Sequence, residues 1–257
     1  DKMIGSSAAW AAGYTGAGSR IAIIDTGADV DHPSLDPDAL KYALQGSNAT
    51  IMTEADLTDE VLNQLNAYTR KAGLTAADFY VNEKIPFGFN YVDADTDITH
   101  DNDTQGDHGS HVTGIAAGNR FVKDEAGNYV AALDSVMTQG VAPDAQILTM
   151  KVFGKGGGAY DSDYMVAIED AMVLGADAAN LSLGGSFPGY SEYTEEKYRH
   201  ILDEIVGSGM VVTISAGNSG SWFDQTAFGL PYAGSVNWAT NGSPGSYVNS
   251  LCVASVD

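Results

Sequence analysis

Cysteine is nearly absent. Cys252 is the only one in 257 residues, so no disulfide can form within the chain and its core must hold the fold. The lone thiol lies in the apolar run Leu251 to Val256, where burial is the plain expectation, and one cysteine leaves the redox compartment open. Positive charge is scarce too. Lys and Arg number 12 against 34 Asp and Glu, and a formal charge of −22 repels a phosphate backbone and anionic lipid alike. That excludes nucleic acid and membrane surfaces as expected partners. No apolar stretch approaches the ~20 residues a membrane helix needs, so no membrane insertion is expected in this segment. The chain opens at Asp1 with no charged-then-apolar leader, so any export signal is expected to have been removed already. Internal repeats and low-complexity tracts are also missing.

What is present is enough for a large core. With 44% hydrophobic residues, a chain of this length buries roughly 70–75% of its unfolded surface, and a single domain over residues 1–257 is expected. Short apolar runs alternate with helical patterns, which reads as an α/β fold: a mainly parallel sheet flanked by helices. Arg20 to Asp25, Ala145 to Phe153, Ala178 to Leu183 and Met210 to Ser215 read as four buried strands. His108 to Ala117, Asp161 to Leu174 and Glu195 to Val206 read as helices. Residues 36–98 break the rhythm and read as a surface insertion, with one capped amphipathic helix from Thr53 to Leu65 followed by polar loop. Phe187 to Tyr193 and Ser219 to Ser246 read as ordered loops near a site. All four strands run into polar or glycine-rich loops, and in open parallel sheets ligands gather outside the carboxyl ends of the strands. The chemistry is expected along that edge.

Four motifs lie there. Ile23-Ile-Asp25-Thr-Gly27 ends a strand on a carboxylate that can either cap a turn or hold an imidazole in one tautomer, and Asp-Thr-Gly-Ala also matches the aspartic-protease loop. Asp107-His108-Gly-Ser-His111 puts a histidine at the start of a small-residue helix, where a neutral imidazole can act as a general base. Gly109 would let the chain approach a substrate closely. His108 and His111, three apart, leave a metal reading open, but the His-Glu-x-x-His pattern is missing. Ser215-Ala-Gly-Asn218 ends a Val/Ile strand with an amide that either donates to an oxyanion or sits in a left-handed turn. Asn180-Leu-Ser182-Leu183-Gly184 can accept an extended peptide as a neighbouring strand, with Gly156, Gly157 and Gly158 as the opposite wall. A phosphate loop is the rival for those glycines, but the Gly-Lys-Ser/Thr ending is absent.

Taken in order, Asp-Thr-Gly after a strand, His-Gly-Ser-His-Val, Ser-Leu-Gly-Gly and Ala-Gly-Asn resemble the subtilisin-like serine peptidases, the subtilase family. The likeness runs from Gly16-Ala-Gly18 to Val253-Ala-Ser-Val-Asp257. The 83-residue separation of Asp25 and His108, with a helical insertion between them, resembles the cell-envelope and C5a-peptidase-like branch. The resemblance implies a subtilisin-like fold and a secreted or cell-surface location. It also implies that Asp25 orients His108, that His108 is the base, that Asn218 is the oxyanion donor, and that Ser182, Leu183 and Gly184 with Gly156 to Gly158 line a peptide channel. It further implies an extended peptide or protein as substrate.

The family's nucleophile stands in a Gly-Thr-Ser segment opening a helix after the Ala-Gly-Asn strand, and no such segment occurs among these residues. The chain therefore reads as the truncated front part of a peptidase domain, inactive alone, whose serine is expected in the C-terminal remainder of the same polypeptide. A non-catalytic peptide-binding module on a degenerate scaffold is the alternative. An aspartic protease is a further one, though it needs an all-β fold. No cofactor is required for the chemistry. Asp93, Asp95, Asp97, Asp101 and Asp103 either bind a hard cation or stay solvated; an EF-hand is excluded, because Ile98 and Thr104 stand where glycine and glutamate are needed. The family resemblance keeps a structural Ca2+ open without choosing ligands.

Overall fold

A run of apolar residues with no charge inside it buries both faces of a strand; two such runs, with a shorter Phe-Gly-Phe-Asn strand beside them, form the sheet of the first half of the chain. The computed structural model describes residues 3–101, 103–185, 191–218, 242–247 and 250–254. The chain divides into two compact units, Asp1–Ala179 and Asn180–Asp257. In the first, β1 (Arg20–Asp25) pairs in parallel with β5 (Gln146–Lys151), from Arg20 opposite Gln146 to Asp25 opposite Lys151. On its other side β5 pairs in parallel with β2 (Phe87–Asn90), from Phe87 opposite Leu148 to Asn90 opposite Lys151. Asn90, Lys151 and Asp25 thus end one row at the carboxyl edge of the sheet. A small antiparallel pair, β3 (Phe121–Lys123) and β4 (Tyr129–Ala131), lies outside it.

The first unit carries eight helices among its described residues: α1 (Ser6–Ala11), α2 (Pro37–Ala43), α3 (Asp59–Leu62), α4 (Asn66–Arg70), α5 (Ala76–Phe79), α6 (His108–Ala117), α7 (Ala132–Ser135) and α8 (Asp161–Val173). Its core gathers Ile23 of β1, Ile147 of β5, Ala117 of α6, Leu35 of the short 3-10 helix Pro33–Leu35, and the loop residues Ile85 and Ile98. In the second unit β6 (Ala178–Leu181), which begins in the first, is followed by α9 (Glu192–Ser208), β7 (Val211–Ser215) and β8 (Leu251–Val253). β7 and β8 are parallel, with Thr213 opposite Leu251 and Ser215 opposite Val253. α9 buries Tyr198, Ile201, Leu202 and Ile205, the i, i+3, i+4, i+7 stripe of an amphipathic helix. It is longer at both ends than its periodicity indicates, because Ser191 caps its start and Gly209, at φ +78°, closes its end.

The α/β reading holds: among the described pairings β1–β5, β2–β5 and β7–β8 are parallel and only β3–β4 is antiparallel, and helices flank them. Three expectations need correction. Residues 36–98 are not only a surface insertion, since they supply β2 and a fully buried aromatic group of Phe79, Phe87, Phe89 and Tyr91. Phe79 stacks on Phe87 at 5.4 Å between centroids, and Phe89 meets Tyr91 edge-on at 5.1 Å. The single helix expected from Thr53 is broken in two. Thr53 and Asp56 close a capping box on a short 3-10 turn, and Thr58 then accepts the Val61 amide to start α3 afresh. Cys252 is exposed rather than buried, because β8 stands at the edge of its sheet order with Leu251 and Val253 also open. Of the two loops read as lying near a site, residues 186–190 and 219–241 lie outside the described residues.

Candidate active site

β1 delivers Asp25 to the carboxyl edge of the sheet with its side chain 1% exposed. Its Oδ1 accepts the Thr26 amide at 2.7 Å and lies 2.7 Å from Nδ1 of His108, the first residue of α6. A carboxylate oxygen can only accept, so Nδ1 carries the hydrogen, and in the neutral imidazole that tautomer leaves the lone pair on Nε2. The His108 side chain is 52% exposed, which leaves Nε2 able to meet a reactant. Oδ2 of Asp25 is buried and makes no hydrogen bond among the described residues.

The two segments are stitched together by neighbouring residues. The Gly109 amide donates to Thr26 Oγ1 at 2.8 Å, and the Asp29 amide donates to Ser110 Oγ at 2.7 Å. Gly109 does allow close approach, but to backbone and not to substrate. A Cβ there would lie 2.1 Å from the Gly27 carbonyl oxygen, which corrects the role expected for it. Gly27 is equally tied, since it holds φ +107° and a Cβ on it would lie 2.2 Å from the Ile98 carbonyl. Below the turn, Lys151 Nζ donates to the Thr26 carbonyl at 2.5 Å and meets Asp103 Oδ2 at 2.5 Å. Thr26, Ser110 and Lys151 escaped the sequence reading. The one signal was Lys151 itself, a cation inside an apolar strand.

The other residues singled out fall as follows. Gly156 to Gly158 lie in the loop after β5. Gly157 turns back to the Gly154 carbonyl at 2.9 Å and faces Gln105, while Gly156 and Gly158 border open space. In the second unit Leu183 is buried and its carbonyl accepts the Ser215 hydroxyl at 3.1 Å, and Ser182 Oγ accepts the Asn180 side-chain Nδ2 at 3.0 Å. Gly184 fits against the Ser243 carbonyl, 2.8 Å from where a Cβ would stand. Asn218 is exposed, three residues beyond β7. His111 does not face Asp25 with His108; it lines a cavity of about 670 Å³ together with Asp107, Ser110, Asp29, His32 and His100. The acid-rich loop is tied down by protein groups. Asp93 accepts from Asn90 and the Lys155 amide, Asp97 from Thr99, and Asp103 from Lys151. Among the described residues no three His, Cys, Asp or Glu side chains are gathered as metal ligands, and no helix is long and apolar enough to cross a membrane.

Comparison with known proteins adds sequence relatives. The chain is 32% identical over 252 residues to the PI-type proteinase of Lactococcus lactis subsp. cremoris, which is 95% of this chain and 12% of that protein. It is 31% identical over 84% of its length to the minor extracellular protease Vpr of Bacillus subtilis, covering 20% of that protein. It is 29% identical over 93% of its length to a C5a peptidase of Streptococcus pyogenes, covering 18%. The last agrees with the branch indicated by the spacing of Asp25 and His108. The chain spans about a fifth or less of the length of these relatives. Residues 16–257 match the profile of the subtilase family, and with an Asp25–His108 pair set at the end of a parallel strand the chain belongs to that family.

Proposed function

We propose that this chain is the front part of the catalytic domain of a serine endopeptidase, working outside the cell or at its surface. The observation that carries the reading is the 2.7 Å contact from His108 Nδ1 to buried Asp25 Oδ1, with the rest of the imidazole open. In the proposed reaction His108 Nε2 takes the proton of a serine hydroxyl as its oxygen attacks the peptide carbonyl. Asp25 holds the ring in the tautomer that leaves Nε2 free and offsets the charge the ring then acquires. The imidazolium returns the proton to the departing amine, and a water repeats the cycle on the acyl-enzyme. Asn218 is proposed to donate to the oxyanion, and Gly156 to Gly158 with Ser182, Leu183 and Gly184 to pair with an extended peptide backbone. The serine comes from sequence beyond these 257 residues, so the chain alone turns over no substrate by this route. No cofactor enters the chemistry, and any Ca2+ would be structural; a shift of melting temperature on chelation would reveal one.

The test is labelling of the full polypeptide by a serine-directed fluorophosphonate. Labelling is expected in the wild type and lost in His108→Ala, while Asp25→Asn should lower kcat by roughly 10³–10⁴, because an amide in that place favours the wrong imidazole tautomer. Equal labelling with and without His108 would defeat the reading. Peptide binding with neither labelling nor turnover would instead favour a binding module on a degenerate scaffold, which the missing Gly-Thr-Ser segment recommends as the second reading.

A further inference from the structure

Lys151 is the only charged residue of β5, a strand whose six side chains are all buried. It stands opposite Asp25 in the register, so the two side chains leave the sheet on the same face. Its partner Asp103 is as well buried, with side-chain exposures of 1% and 2%. Desolvating two charges costs several kcal/mol per ion, and a well-packed apolar pair in such a place is commonly no less stable. Stability is therefore a poor reason for the pair. Geometry supplies a better one. Thr26 spends all three of its polar groups on the site: its amide on Asp25 Oδ1, its hydroxyl oxygen on the Gly109 amide, and its carbonyl on Lys151 Nζ. Each bond fixes one of the two peptide planes that meet at Thr26 or the start of α6, and among the described residues the side chain that holds the plane toward Gly27 is Lys151. Asp103 in turn holds Lys151 Nζ and accepts the Gln105 amide at 3.0 Å, and Gln105 backs Gly157.

We propose that Lys151 and Asp103 are positioning residues for the Asp25–His108 pair: they lock the Thr26 turn that aims the carboxylate at the imidazole, and they touch neither substrate nor reacting atoms. The inference rests on the serine-peptidase reading above. It is tested in the full polypeptide with Lys151→Met, Asp103→Asn and the double variant, counting competent sites by fluorophosphonate titration and measuring kcat and KM on a peptide substrate. Since a misplacement of about 1 Å costs on the order of 10²-fold, kcat per titrated site should fall about 10- to 100-fold while KM stays within about twofold. The double variant should lose no more than the worse single one, as expected of groups acting as a unit. Asp103→Asn keeps an acceptor oxygen for the ammonium, so it should lose least, and it carries the test alone if Lys151→Met does not fold. A wild-type kcat per titrated site in Asp103→Asn and Lys151→Met, with only fewer sites or a lower melting temperature, would reduce the pair to ordinary structure and overturn the proposal. Undiminished labelling of His108→Ala would be a different failure, removing the peptidase reading and this inference with it.

Discussion

At Gly109 one hydrogen in place of a methyl group lets the imidazole helix touch the carboxylate turn. A Cβ there would meet the Gly27 carbonyl at 2.1 Å, the Gly27 amide at 2.9 Å and the Thr26 amide at 3.1 Å, all backbone atoms that cannot swing aside. Gly109→Ala should therefore push the start of α6 outward, costing about 1–3 kcal/mol as overpacking does and lengthening the Asp25–His108 contact. Urea unfolding together with turnover per titrated site checks this; an alanine that leaves both unchanged would contradict the tight contact. Asp25 and His108 were legible from sequence because a strand ending on an acid and a helix opening on histidine are local patterns. Thr26, Ser110 and Lys151 were not, since each ties the two catalytic segments together through a partner at least 48 residues away. Gly109 was noticed, but its neighbour in space was invisible.

Among the elements, α4 has no side-chain cap of its own and borrows one from α8. Asp170 accepts the Asn66 amide at 2.7 Å, the Ala67 amide at 2.9 Å and the Tyr91 hydroxyl at 2.9 Å. One buried carboxylate thus joins α4, α8 and the residue after β2. Asp170→Ala strands these donors, each worth about 1–3 kcal/mol when left unpaired, so a loss of about 2–4 kcal/mol is expected after relaxation and entry of water. Amide hydrogen exchange should quicken first in residues 66–70, and unaltered protection there would show that α4 stands without the cap. The same elements show where reading stopped. Four parallel strands were visible as continuous apolar runs, whereas β2 is four residues long with a glycine inside, too short a signal against polar flanks. Periodicity suggested one helix from Thr53, but the local capping of Thr53 and Thr58 outweighed it and made two elements. The bond from Asp170 to α4 spans 104 residues, beyond any local pattern.

For the molecule as a whole, an excess of acid over base with a net charge of −22 makes each of the 12 Lys and Arg conspicuous, yet Lys84 is withdrawn from water completely. Its Nζ donates to the Pro143 carbonyl at 2.9 Å and the Ala145 carbonyl at 2.8 Å. An uncharged amine has two N–H bonds, and these two carbonyls accept both. Burial pulls the ammonium down from its ordinary 10.5 to about 7, against the opposing field of Asp144. Asp144 is itself buried, 2.9 Å from Arg120 Nε in a charge contact whose angle is not that of a hydrogen bond. In the unfolded chain Lys84 stays protonated up to about 10.5, so between about 7 and 10.5 the unfolded state binds the extra proton and this group's share of stability rises with pH. Below about 7 both states are protonated and the share is constant at its least favourable value. Carboxylate repulsion across so acidic a molecule also grows as bases lose charge, so the total curve mixes both effects. Subtracting the curve of Lys84→Met, which removes the titrating group and leaves the acidic surface, isolates the lysine. The difference, wild type minus variant, should climb between pH 7 and 10 with a slope approaching about 1.4 kcal/mol per pH unit. Parallel curves across that range would mean that Lys84 keeps its proton in the fold.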